Sequence, residues 1–149
     1  MIPIIRIRTN EASYAQIAHH LARANKQFVP LLSSRVDIEA YAHKIFDNTY
    51  RMEAWDGTEL VGLVATYCND SERMIAYITN VSVFTDWAGK GLGSDLLQRT
   101  VLHMQSIGLA QIRLEVDRNN VTAMRLYERA GFCECDVNGS IVTMSRAAG

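Results

Sequence analysis

The sequence is poor in proline and cysteine and has no surplus of charge of either sign. Of its 149 residues, 2 are proline and 3 are cysteine, and 15 Lys and Arg balance 16 Asp and Glu for a net charge of −1. Nucleic-acid and anionic-membrane binders normally carry a basic surplus, so we expect neither as a partner. A hydrophobic fraction of 48% and a charged fraction of 21% exclude a disordered or fibrous chain.

Long hydrophobic runs are also missing. No segment approaches the ~18 apolar residues of a membrane span. Arg6 and Arg8 interrupt the apolar residues at the N-terminus, and no apolar core of a secretory signal follows them. We therefore expect a cytoplasmic protein. The length fits one domain over residues 1–149.

The cysteines give no sign of a metal site or a disulfide framework. They are odd in number, which indicates reduced thiols. Cys133 and Cys135 form a C-x-C pair with no His or further Cys beside it, whereas structural zinc takes four ligands. We expect no metal, and we predict that both thiols are buried in a strand.

The hydrophobic pattern predicts the element order β-α-α-β-β-β-α-β-α-β-β. Asp56-Gly57 and Asn138-Gly139 are hairpin turn signals, and strands two to four form an antiparallel meander. Apolar residues at helical spacing predict helices over 11–25, 36–46, 94–107 and 121–130. The predicted strands cover 4–8, 50–55, 59–67, 74–83, 111–116, 132–137 and 140–145.

A glycine-rich turn, Gly89-Lys90-Gly91-Leu92-Gly93, separates a predicted strand from a predicted helix. Free backbone N–H groups at such a helix start favour an anion. The turn is not a P-loop, because no Gly-Lys-Ser/Thr ends it. A nicotinamide site has some support from Glu115 and Asp117 beyond the turn, but an antiparallel meander precedes it. A helix cap without a ligand is the structural alternative.

Two segments resemble the GNAT superfamily of N-acetyltransferases. ITNVSVFTDWAGKGLGSDLL starts at Ile78, and LEVDRNNVTAMRLYERAGF ends at Phe132. The first resembles the strand and pyrophosphate turn of that family, and the second its Asn-x-x-Ala-x-x-Leu-Tyr helix. Ala88 departs from the family pattern, which has Gln or Arg there. The resemblance implies an α+β GNAT fold with a mixed, mostly antiparallel sheet of six to seven strands and about four helices.

The resemblance also implies acetyl-CoA as cosubstrate and an amine as acceptor. Val81 and Val83 would offer backbone groups to the pantetheine arm, beside a bulge that splays the strand from its neighbour. Asn120 would contact the cofactor, and Tyr127 would lie beside its sulfur. The cofactor-binding residues so implied are Val81, Ser82, Val83, Gly89, Lys90, Gly91, Leu92, Gly93, Ser94, Asn120 and Tyr127.

Two residues are the catalytic candidates. Tyr127 would donate a proton to the departing thiolate; the alternative is a packed aromatic whose hydroxyl bonds a backbone group. Glu115, in the Leu-Glu-Val segment, would accept the amine proton. An ion pair with Arg113 is its structural alternative, and a water relay anchored by Asn80 or Ser82 is the rival base.

We expect the acceptor to be a primary amine of a small molecule or an amino sugar. Protein N-terminal acetylation is the alternative enzyme, and an acyl-CoA-binding sensor is the non-catalytic one. The four histidines are predicted to be surface or partly buried helix residues away from the site, and a homodimer is possible. The expected acceptor wall comprises Phe28, Pro30, Leu31, Leu32, Arg35, Tyr50, Glu53, Trp55, Tyr67 and Tyr77.

Overall fold

The computed structural model describes residues 4–70 and 72–148 of the protein. Its elements follow the predicted order, with three one-turn 3₁₀ helices in the loops. In chain order they are β1 Ile5–Thr9, α1 Tyr14–Ala24, α2 Ile38–Asn48, β2 Tyr50–Asp56, β3 Glu59–Tyr67, β4 Ile75–Val83, α3 Leu92–Ser106, β5 Gln111–Asp117, α4 Val121–Arg129, β6 Cys133–Asn138 and β7 Ile141–Ala147.

The seven strands form one sheet in the order β1-β2-β3-β4-β5-β7-β6. The β4–β5 pair is parallel, and the other neighbouring pairs are antiparallel. Parallel neighbours need a crossover connection, which α3 provides. The mixed, mostly antiparallel sheet with four α-helices confirms the predicted fold class.

Helices cover both faces of the sheet, and each face has its own apolar core. On one face α1 and α2 pack over β2 and β3. On the other, α3 and α4 pack over β3, β4, β5 and β7. No helix within residues 4–70 and 72–148 is long and apolar enough to cross a membrane.

Local hydrogen bonds explain why the first two helices begin later than predicted. The backbone N–H groups of Glu11 and Ala12 bond the buried Glu53 carboxylate at 3.0 Å. Ser13 then caps α1. Asp37 caps α2, because its carboxylate accepts from the backbone N–H groups of Glu39 and Ala40. Side-chain acceptors therefore determine where these two helices begin, and the spacing of hydrophobic residues does not indicate those positions.

The prediction of buried thiols at Cys133 and Cys135 is wrong. Both side chains are exposed, because β6 is the edge strand and all six of its residues are exposed. The β6–β7 register also shifts between Glu134 and Asp136. Within residues 4–70 and 72–148, no group of three or more His, Cys, Asp and Glu side chains could hold a metal ion.

Candidate active site

A cleft opens where β4 and β5 separate. The two strands pair from Ile75 with Gln111 as far as Ile78 with Leu114, although β4 continues to Val83. The cleft between them has a volume of about 1200 Å³ and extends from the α1–α2 loop to the start of α4.

A β-bulge in β4 accompanies the separation. Opposite β3, Ala65 pairs with Asn80 and Thr66 with Ile78, so Thr79 is the extra residue. Ile78 packs in the core beneath α3, whereas Ser82 bonds to α1 on the opposite face. The bulge therefore reverses the sheet face on which the side chains at the end of β4 lie. Bulges commonly redirect side chains in this way near functional sites.

Backbone groups of β4 point into the gap. Phe84 N–H donates to Val61 O at 2.9 Å, which makes these two residues a hydrogen-bonded pair of β3 and β4. Bonded and non-bonded pairs alternate in an antiparallel ladder. Ser82 lies opposite Leu63 and is two residues from Phe84, so alternation makes it the next hydrogen-bonded position, and the N–H and C=O groups of Val81 and Val83 point away from β3.

The glycine turn leads into the N-terminus of α3 beside the same cleft. Gly89 and Gly91 have left-handed backbone, with φ of 77° and 80°, which L side chains rarely adopt. The first bond within the helix runs from Asp95 N to Gly91 O at 2.9 Å. The N–H groups of the three preceding helical residues, Leu92, Gly93 and Ser94, therefore have no intrahelical partner, an arrangement that favours an anion.

Not every residue of the turn faces the cleft with its side chain. Gly89, Gly91, Gly93, Ser94 and Ala88 line it. Lys90 instead places its ammonium 5.5 Å from the centre of the Trp87 ring, and Leu92 packs against the core. These two residues can therefore contribute to the cleft through their backbone groups.

α4 brings Asn120 and Tyr127 to the opposite wall. Asn120 caps α4, its Oδ1 accepting from Ala123 N at 3.2 Å. Tyr127 is 7% exposed and packs edge-on against Phe132. Burial raises the pKa of Tyr127 well above its ordinary value. Among the described residues no partner bonds its hydroxyl, which distinguishes it from the purely packed aromatic considered above.

Glu115 lies on the exposed face of β5 and lines the same cleft. Alternation placed it opposite Leu114 and its buried neighbours, and the structure agrees. The alternative role for Glu115 was an ion pair with Arg113. Arg113 instead donates from Nε to Gln111 Oε1 at 2.9 Å. Burial raises the pKa of Tyr77 to about 12, and the nearby Glu115 carboxylate contributes in the same direction.

The acceptor wall agrees only in part with the sequence expectation. Phe28, Leu32, Arg35 and Tyr77 line the cleft. Pro30 and Leu31 do not line it. The expectation is wrong for four strand residues, one of which, Tyr67, lines a separate pocket. Glu53 is fully buried and bonds the backbone before α1, and Trp55 lies in the core under α1 and α2. Tyr50 packs with the α3 core and stacks on His103.

Gln27 and His20 are site residues that the sequence reasoning missed. Gln27, in the 3₁₀ turn that follows α1, donates from Nε2 to Val83 O at 2.6 Å and so holds the end of β4. His20 is fully buried, contrary to the prediction, and its Nε2 lies 2.7 Å from Ser82 Oγ. His20 follows the buried Ile17 by three residues in α1, and this helical spacing could have predicted its burial.

Solved structures share this fold. The ribosomal-protein-S18-alanine N-acetyltransferase from Escherichia coli superposes with a TM-score of 0.79, at 19% identity, over 98% of this chain and 95% of that one. The PaiA N-acetyltransferase from Thermoplasma acidophilum, in complex with coenzyme A, gives 0.75 at 18% identity, over 97% and 99%. At this identity the likeness concerns the fold alone.

Sequence relatives differ in their named acceptors. A mycothiol acetyltransferase from Geodermatophilus obscurus is 32% identical over 91 residues, 58% of this chain and 30% of that protein. The N-alpha-acetyltransferase MAK3 from Arabidopsis thaliana is 28% identical over 119 residues, 73% and 63%. The Probable spermine N(1)-acetyltransferase from Bacillus subtilis subsp. natto is 31% identical over 90 residues, 58% and 59%. The chain thus spans less than two thirds of each.

The family model described as "Acetyltransferase (GNAT) family" matches residues 15–132. That segment runs from the first turn of α1 to the end of α4 and contains the whole cleft. The chain therefore belongs to the acetyltransferase (GNAT) family.

Proposed function

We propose that this protein transfers the acetyl group of acetyl-CoA directly to a primary amine of a small molecule, an amino sugar being the preferred class. The observation that carries the proposal is one cleft with three components. These are unpartnered backbone N–H groups at α3, a splayed strand edge at Val81 and Val83, and two titratable side chains in the lining, Tyr127 and Glu115.

The cofactor would lie along backbone groups. Its pyrophosphate fits the N-terminus of α3, where the helix dipole adds attraction. Its pantetheine arm fits the edge of β4, and a backbone N–H of Val81 or Val83 would polarise the thioester carbonyl. Asn120 Nδ2 is free to donate, because its Oδ1 caps α4. Ser82 would line the same path.

The chemistry would be a direct attack. The neutral amine nitrogen forms a bond to the acetyl carbon, the carbon–sulfur bond breaks, and the surplus amine proton passes to Glu115, directly or through water. Tyr127 donates a hydrogen bond to the departing sulfur. Because its raised pKa lies above the ~8.5 of an ordinary thiol, Tyr127 stabilises the thiolate more readily than it gives up its proton.

The charges at the acceptor end favour a monoamine over a polyamine. Glu115 is a carboxylate that faces the amine, but Arg35 lines the same end of the cleft. Burial raises the pKa of both Tyr41 and Tyr77, and the Arg35 guanidinium opposes that rise in each, so it lies close to both. A second ammonium group would be repelled there, whereas a hydroxyl-rich or acidic amine would be accommodated.

Protein N-terminal acetylation is the second candidate. The N-alpha-acetyltransferase relative matches 73% of this chain, including the cleft elements, and the cleft is open enough to admit a peptide end. The three cysteines are free thiols, which suits the reducing cytoplasm for either acceptor.

The test is a screen for release of free coenzyme A thiol. The purified protein and acetyl-CoA would be incubated with monoamines, amino sugars, polyamines and peptides, and products confirmed by a mass gain of one acetyl group. Turnover of an amino sugar or small monoamine supports the proposal. Turnover of peptides alone supports the second candidate, and acetyl-CoA binding without turnover supports a sensor.

A further inference from the structure

A buried chain of polar side chains runs beside the cleft from α1 to β4. His20 Nε2 lies 2.7 Å from Ser82 Oγ, and Ser82 Oγ lies 2.8 Å from Asn80 Oδ1. Next to this chain, the Tyr41 hydroxyl of α2 donates to Thr79 O at 2.6 Å. None of the catalytic steps above uses His20 or Tyr41, although Asn80, Ser82 and Tyr41 line the cleft.

The surroundings of His20 decide which of its nitrogens carries hydrogen. Nδ1 lies 2.8 Å from Leu60 O, and a carbonyl oxygen only accepts, so Nδ1 is the donor. The ring is fully buried and stacks on Phe84, with Arg23 over the same aromatic ring. Burial lowers the pKa of His20 to about 4, with small further contributions from His19 and Arg23. The imidazole is therefore neutral at pH 7, and Nε2 carries a lone pair.

This tautomer determines the direction of the Ser82 proton. The hydroxyl faces two groups, His20 Nε2 and the Asn80 amide, and has one hydrogen. A neutral imidazole needs that hydrogen at Nε2, because two facing lone pairs at 2.7 Å repel. Ser82 must then accept from Asn80. The two ends of a carboxamide have the same shape, and their neighbours' protons determine the orientation, so Asn80 turns its NH₂ to Ser82.

The same proton count determines what Asn80 offers to the cleft. With its NH₂ on Ser82, Asn80 keeps Oδ1 as an acceptor on the side away from Ser82. The Tyr41 hydroxyl donates to Thr79 O at 2.6 Å, so its proton does not occupy Asn80 Oδ1. Asn80 lines the cleft.

We infer that His20 is a positioning residue that fixes the hydrogen-bond polarity of the acceptor end. Its neutral Nδ1–H tautomer orders the chain His20–Ser82–Asn80, so that Asn80 Oδ1 accepts an N–H group of the amine substrate. An acceptor at this position orients the amine with its lone pair free for attack. The identity of the ligand rests on the proposed function, whereas the proton order of the chain does not.

The proton order is tested by NMR on the ligand-free wild-type protein. We expect one protonated nitrogen on His20, assigned to Nδ1, unchanged between pH 6 and 8, and cross-relaxation between the Asn80 NH₂ and Ser82. A doubly protonated ring, an Nε2–H tautomer, or an Asn80 NH₂ close to the Tyr41 ring would overturn the inference. This result is independent of whether any acceptor is turned over.

The functional role is tested with two variants and the best amine of the thiol-release screen. In His20→Gln the amide can donate to Leu60 O and accept from Ser82, so we expect a KM for the amine within twofold of wild type. His20→Leu removes the acceptor, and we expect a KM about three- to tenfold higher, the effect of one hydrogen bond, with unchanged acetyl-CoA affinity. His103→Gln is the matched control in α3, and its kinetics should equal those of wild type.

A purely structural role for His20 gives a different pattern. In that case His20→Gln would be as damaging as His20→Leu, or acetyl-CoA affinity would fall together with amine affinity. Either pattern contradicts the inference. If His20→Leu does not fold, the Ser82→Ala variant interrupts the chain at its next member, and the same rise in amine KM is expected.

Discussion

The two ends of the cleft are built in different ways. At the cofactor end, the contacts offered are backbone groups of neighbouring residues, at α3 and along β4. At the acceptor end, they are side chains from four separate elements: Arg35 before α2, Tyr41 in α2, Tyr77 in β4 and Glu115 in β5.

The two kinds of construction respond differently to substitution. A backbone site needs glycine at a few fixed positions and tolerates other changes. A side-chain site changes with every substitution in four distant segments. The named relatives accordingly include mycothiol, spermine and N-alpha acetyltransferases.

The largest expected effect tests the backbone end. Gly91→Val forces a β-branched residue into left-handed backbone and misaligns the N–H groups of α3. We expect acetyl-CoA affinity to fall about 100-fold or more, as for the loss of two hydrogen bonds to a charged group. Calorimetric titration measures it.

Gly57→Val is the matched control for that change. Gly57 also has a left-handed φ, 59°, and an added Cβ meets nothing within 4 Å at either glycine. Both variants should lose a similar ~1–2 kcal/mol of stability. Equal losses of acetyl-CoA affinity in the two variants would show that Gly91 acts only through stability.

Glu115→Gln tests the acceptor end. A carboxylate that accepts the amine proton loses this ability as falling pH protonates it, which gives the rate profile an acidic limb. We expect the variant to lose about 100-fold in kcat/KM and to lack that limb, with unchanged acetyl-CoA affinity. A limb that persists in Glu115→Gln assigns the base to a water relay at Asn80 or Ser82 instead.

Tyr127→Phe tests the junction of the two ends, where the thiolate departs. Loss of one hydrogen bond to a charged sulfur predicts a kcat about 10- to 100-fold lower, with acetyl-CoA affinity retained because the ring still packs on Phe132. Thiol-release assays measure kcat, and calorimetry measures acetyl-CoA affinity. If affinity and kcat fall together, Tyr127 is a packing residue. Tyr50→Phe, outside the cleft, is the control.

The buried imidazole predicts a pH-dependent stability. Because the pKa of His20 is about 4 in the folded chain and about 6.5 when unfolded, the unfolded state binds more protons between these values. Folding stability should therefore fall as pH drops from 6.5 towards 4, by about 3 kcal/mol from this group. Thermal unfolding of His20→Gln should show less of this fall; an equal fall in both proteins would contradict a buried neutral His20.

The smallest expected effect concerns acceptor choice. Arg35→Glu replaces the cation of the acceptor end by a carboxylate, so the preference between a polyamine and a monoamine should shift several-fold towards the polyamine. Competition between the two amines in one assay measures this ratio. A ratio unchanged from wild type would remove Arg35 from acceptor selection. Lys90→Glu, at the Trp87 ring, is the control.

Particular residues show what the sequence could and could not predict. The helix and strand order followed from periodicity, and the turn at Gly91 from glycine spacing. Glu53 and Trp55 were assigned to the acceptor wall wrongly, because the face a strand residue takes depends on pairing that the local pattern does not contain. His20 was missed because its partner Ser82 is 62 positions away. The bulge at Thr79 was expected only through the family resemblance.

The most direct test of the central claim is a calorimetric titration of the wild-type protein with acetyl-CoA, repeated with Gly91→Val. The account predicts saturable binding at one site per chain, strongly weakened in the variant, because backbone N–H groups at α3 hold the cofactor. Absence of binding to the wild-type protein, or equal binding to both, would contradict it.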